Sequence, residues 1–74
     1  SLVGRIKSAH TVKEIKEFFT NKGSSHIVLH RYRLEAMLVN SLDQEEIALF
    51  NSFLTSNLKE IYSQDGYSVY RLKS

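Results

Sequence analysis

Cysteine, proline and tryptophan are absent from the 74 residues, and glycine occurs only three times. Without cysteine the fold has no disulfide staple and no thiolate metal site, so packing alone must hold it. No repeat, low-complexity tract or proline-rich linker divides the chain, and residues 1–74 read as one domain at the small end of what folds unaided. The apolar runs are short, Ala36–Val39 among the longest, far below the roughly 18 residues that span a bilayer. The opening Ser-Leu-Val-Gly-Arg lacks a charged-then-apolar export signal. These absences predict a cytoplasmic domain with no membrane partner. The chain begins on serine, which fits a piece of a larger protein. What is present, 42% hydrophobic and 11% aromatic residues, is enough for a small ordered core.

The charge is unevenly placed. Residues 1–33 hold seven cations (Arg5, Lys7, Lys13, Lys16, Lys22, Arg31, Arg33) against Glu14 and Glu17, a balance of +5. Residues 34–66 hold Lys59 against six acids (Glu35, Asp43, Glu45, Glu46, Glu60, Asp65), a balance of −5. Arg71 and Lys73 return the total to +2. Two surfaces of opposite sign follow if the fold keeps these segments apart, and mutual neutralisation follows if it interleaves them.

Leu2–Lys7 alternates Leu2, Gly4 and Ile6 with Val3, Arg5 and Lys7, which predicts a short strand. Thr11-Val-Lys-Glu14 is a capping box opening a helix over 12–22, with Val12, Ile15 and Phe19 as its apolar stripe and Gly23 as its left-handed stop. Ser41-Leu-Asp-Gln44 is a second such box. The stripe Ile47, Phe50, Leu54, Leu58, Ile61 then predicts a helix over 43–62 with all five buried. Asp65-Gly66 supplies a reversing dipeptide before Tyr67–Leu72, an aromatic and β-branched strand. Residues 25–40 stay open between helix and strand: His26–Arg33 leans to strand, Leu34–Leu38 to helix.

Three constellations carry chemistry. First, Ser24–Val39 resembles a winged-helix recognition helix with its exit, and Lys59–Leu72 resembles a wing hairpin, although an acidic-capped helix stands between them. Read this way, Thr11–Val39 is a helix-turn-helix, a supporting helix, a turn and a second helix whose outer side chains reach base edges; DNA binding or transcription regulation is the work expected of the +5 segment with its Arg/His/Tyr cluster. Second, the cluster His30, Arg31, Tyr32, Arg33 offers guanidinium forks for phosphate and flat rings for bases. On a helix Arg31 and Arg33 diverge; on a strand they share a face. Third, Leu49 and Phe53 widen the apolar arc of helix 43–62 beyond one packing face, which marks either sheet cover or a protein partner.

Other chemistry has little to stand on. His26 and His30 lie roughly 6 Å apart on a helix but roughly 13 Å apart on a strand, and no third ligand is placed beside them. No nucleophile elbow and no glycine-rich phosphate loop occurs. Glu45 and Glu46 are adjacent and serve a helix dipole. The sequence therefore predicts a non-catalytic α+β domain without cofactor or metal: two or three helices packed on a small antiparallel sheet, either winged-helix-like or a β-α-β-α-β two-layer arrangement. Its expected function is nucleic-acid binding through His30, Arg31, Tyr32, Arg33, Lys13, Lys16 and Arg5. The alternative is a protein-interaction or dimerisation module using Leu49 and Phe53.

Overall fold

The computed structural model describes residues 2–73. Its elements run α1 (Leu2–Ser8), α2 (Val12–Asn21), β1 (His26–His30), α3 (Arg31–Ser41), α4 (Gln44–Asn57), β2 (Leu58–Gln64) and β3 (Tyr67–Leu72). The three strands form one antiparallel sheet in the order β1-β3-β2. This is an α+β domain, and the succession from α2 to β3 (helix, strand, two helices, hairpin) is winged-helix-like. The β-α-β-α-β arrangement is not formed, because residues 2–8 are helical. Leu2, Val3 and Ile6 satisfy a helical spacing as well as an alternating one, and burying Ile6 completely while Leu2 and Val3 pack on the core selects the helix.

Helix α2 forms where its end signals place it. The Thr11 hydroxyl accepts from the Glu14 N–H at 3.2 Å, and the Glu14 carboxylate accepts from the His10 N–H at 3.3 Å. At the other end Gly23 takes φ +73, its N–H donating to the Thr20 carbonyl and that of Ser24 to Phe19, a Schellman closure. The second cap lies two residues later than the sequence suggests. Ser41 ends α3, and Asp43 caps α4 with a reciprocal pair: the Glu46 N–H to Asp43 Oδ1 and the Asp43 N–H to Glu46 Oε1, both 2.8 Å. Glu46 also meets Lys7 of α1 at 3.1 Å, so this cap helps fasten α1 to α4. Asp43→Ala removes one acceptor and frees the other half of the pair; we expect a loss of about 1 kcal/mol in urea denaturation, within the roughly 0.5–2 kcal/mol range for such caps.

Residues 25–40 combine both open readings: strand to His30, then helix from Arg31. The long helix, in turn, is shorter than its stripe implies. At Leu58 the backbone turns extended (φ −119, ψ 142), and the chain enters β2. Leu58 is still buried, but Ile61 falls at a bulge in the β2–β3 ladder and is 48% exposed. Ile47 and Leu54 are partly buried, as are Val12 and Phe19. The buried face of α4 is instead centred on Phe50 and Phe53, which close the core with Ile6, Ile15, Leu42 and Leu58. Phe19 stacks on Phe53 with centroids 5.5 Å apart, joining α2 to α4.

Candidate nucleic-acid interface

One face of the sheet lies on the helices and the other is open. Side chains alternate between faces along a strand. Ile27, Ser68, Tyr70, Leu72 and Leu58 point inward: Leu58 and Ser68 are buried, and the other three pack on the core. The opposite parity is open, and the register arranges it in three cross-strand rows: His26–Arg71–Lys59, Val28–Val69–Tyr62 and His30–Tyr67–Gln64. None of these nine positions is acidic. Val28, Tyr62 and Tyr67 are 62%, 56% and 50% exposed.

Lys59 and Arg71 stand directly opposite each other, a placement that brings Cβ atoms to roughly 4.5–5.5 Å and is destabilising for like charges. Neither has a counter-ion: among the described residues the salt bridge found is Lys7–Glu46, on the helical side of the molecule. The first row therefore gathers two fixed cations and an imidazole across two strand spacings, about 10 Å.

The other end of the open face is built at the β1–α3 corner. His30 ends β1 and caps α3, its Nδ1 accepting from the Arg33 N–H at 3.4 Å. Its ring stands edge-on to Tyr67, centroids 4.6 Å apart at 84°, and lies 5.9 Å from Tyr32. The hairpin tip is tied to this corner. The Arg31 N–H donates to the Gly66 carbonyl at 2.8 Å and the Arg31 guanidinium to Ser63 Oγ at 2.7 Å. Asp65 (φ 53) and Gly66 (φ 82) make the tight left-handed reversal that such a two-residue hairpin loop needs.

The seven residues expected to form one basic surface are distributed over four depressions. His30 and Arg33 line one of about 290 Å³ with Val28 and Tyr67 of the sheet and Leu2, Leu34 and Met37 of the helices. Arg31 and Tyr32 line a second beside Glu35 and Asp65. Lys13 and Lys16 line a third on α2 with Asn57. Arg5 lines a fourth, its guanidinium 4.8 Å from the centre of the Phe18 ring. Arg31 and Arg33 diverge because both sit in the first turn of a helix.

Two further expectations are corrected. Phe53 is 0% exposed, so its ring is spent in the core of the monomer, while Leu49 packs against the core and stays partly exposed. The helix-turn-helix is not Thr11–Val39, since β1 intervenes there. Two pairs of helices are joined by a short turn, α1 and α2 through residues 9–11 and α3 and α4 through Leu42 and Asp43. Helix α4, the second of the latter pair, carries no lysine or arginine and has Glu45 and Glu46 in its first turn.

Tyr62, Tyr67, Arg71, Lys59 and His26 join the site only through strand register. The alternation Tyr67-x-Val69-x-Arg71 was the available signal, but its partners on β1 lie 37 to 45 residues before it, and those on β2 lie within or beside a stretch that reads as helix. His26 and His30 stand four residues apart on β1, roughly 13 Å, too far to share an ion. Among the described residues there is no cluster of three or more potential metal ligands, and no helix is long and apolar enough to cross a membrane. Comparison of the chain with protein-family models, curated proteins and solved structures returned no match.

Proposed function

We propose that this domain binds nucleic acid through the open face of its sheet and the adjoining β1–α3 corner. The observation that carries the reading is the uncompensated Lys59–Arg71 pair, flanked by His26 and accompanied by exposed tyrosines on a face without an acid. Like charges opposed across a ladder work against folding. A local cost of this kind is expected where function demands it, and a polyphosphate chain is the counter-ion that fits a row of cations beside aromatic rings. Arg33 extends the positive surface from the far end of the face. Arg31 does not, because its guanidinium is engaged with Ser63 and its depression is shared with two acids.

Fluorescence anisotropy with a labelled oligonucleotide tests this. If Lys59, Arg71 and Arg33 each neutralise one phosphate, log affinity should fall with log salt at a slope of about −2 to −3. Arg33→Ala should reduce that slope by about one, whereas Arg31→Ala should leave it nearly unchanged. Absence of binding to single- and double-stranded DNA and RNA at low salt would refute the reading.

A further inference from the structure

Resting on that nucleic-acid reading, we propose that the open face takes a single-stranded polynucleotide and is indifferent to its sugar, with unpaired bases stacked on Tyr67 and Tyr62. These tyrosines are diagonal neighbours on the open face, since Tyr62 pairs with Val69, two residues from Tyr67. Diagonal neighbours lie roughly 7–8 Å apart, close enough for neighbouring bases of one strand to reach both rings. Each ring is held by its periphery and leaves area free. His30 meets Tyr67 edge-on, and the Tyr62 hydroxyl donates to Gln64 Oε1. Both remain half-exposed, whereas Phe50 and Phe53 are buried and Phe19 and Tyr70 pack on the core, and the cation row lies on the same strands, where the phosphates of a strand stacked on them would run.

A duplex fits this surface poorly. Its bases are already stacked and show only their edges, in grooves that admit a helix or a β-ribbon. Of the two helices that follow a short turn, α4 lacks cations and would bring Glu45 and Glu46 towards phosphate. Stacking and phosphate attraction supply the binding here, and neither reads the 2′-hydroxyl, by which proteins tell RNA from DNA.

The probes are a 12-nucleotide oligothymidylate, the matching oligouridylate and a 12-base-pair mixed-sequence duplex, each titrated at about 50 mM salt. We expect the two single strands to bind within about threefold of each other and the duplex at least about tenfold more weakly. Tyr67→Ala and Tyr62→Ala should each lower single-strand affinity about fivefold or more, while the phenylalanine variants, which keep the ring, retain it. A measurement on the unaltered protein stands beside these. With no tryptophan and four tyrosines, its tyrosine emission should be quenched by unlabelled oligothymidylate but not by the duplex. Duplex binding as tight as single-strand binding, or binding without quenching, overturns the single-strand proposal and leaves the broader reading standing. A tenfold preference for one sugar overturns the sugar indifference. No binding to any probe overturns both readings.

Discussion

Phe53→Ala should remove roughly 3–5 kcal/mol of stability, the range for truncating a fully buried phenylalanine. At ordinary per-residue values a domain of this length holds about 4–11 kcal/mol in total, so the variant is expected to be marginally folded or unfolded at 25 °C. The effect is large because Phe53 is fully buried and joins α2 to α4. It stacks on Phe19 of α2, lies 6.3 Å from Phe50 one turn away, and is wholly enclosed in a core that also takes Ile6 from α1 and Leu58 from β2. Leu49→Ala, on the half-buried flank, should cost distinctly less. Urea denaturation measures both. A loss below about 0.5 kcal/mol for Phe53→Ala would mean that this ring faces outward and that the α4 packing is wrong.

The second large effect concerns binding and has an unusual sign pattern. Lys59→Glu places an acid opposite Arg71, turning a repulsive cross-strand pair into an attractive one. Its stability should rise by about 0.2–1 kcal/mol, while nucleic-acid affinity falls at least about tenfold. Reversing both, Lys59→Glu with Arg71→Glu, restores a like-charge pair of the opposite sign. Folding should return close to the starting stability, and binding should be weaker by about 100-fold or more at 50 mM salt. Thermal melts and anisotropy read the two quantities separately. A Lys59→Glu protein that is more stable and binds unchanged would show that the cation row has no part in binding.

The division between what the sequence reveals and what it hides follows interaction range. Helix ends are local matters: Thr11 with Glu14, Gly23 with Thr20 and Phe19, and the Asp65-Gly66 reversal are all settled within five residues, and each is visible in the chain. The cap of α4 is displaced by two residues because Ser41 and Asp43 are both competent caps, and burial of Leu42 between them decides for Asp43. The apolar period misleads where the chain changes conformation without a punctuating glycine or proline. Nothing marks His30 to Arg31, or Asn57 to Leu58, so one stripe runs on through what is really a helix followed by a strand. Phe53 looked like a spare apolar residue because the stripe was centred on Ile47 and Leu54. The core, drawing on α1 that the alternation had disguised as a strand, rotates α4 towards Phe50 and Phe53.

The site was legible only at one corner. His30 and Arg33 do belong to one surface, but the open face that gives them context depends on pairing His26 with Arg71 and Arg71 with Lys59. Register of that kind is set by packing of the opposite face: Leu58 opposite Leu72 and Ile27 opposite Tyr70 bury inward, and the cations are carried outward with them. The basic first half and acidic middle of the chain do not map onto two surfaces. Lys7 is neutralised by Glu46, while Lys59, from the acidic segment, joins Arg71 on the sheet.

In the proposed mode of binding the sheet, and not the α3–α4 helix pair, is the nucleic-acid surface. Backbone amide chemical-shift mapping tests it most directly: the 15N-labelled protein is titrated with the 12-nucleotide oligothymidylate at about 50 mM salt. The shifting amides are expected to concentrate at His26, Val28, Lys59, Tyr62, Tyr67, Val69, Arg71 and the His30–Arg33 corner. Shifts gathered instead on the exposed side of α4, at Gln44, Ala48, Asn51 and Thr55, would contradict it.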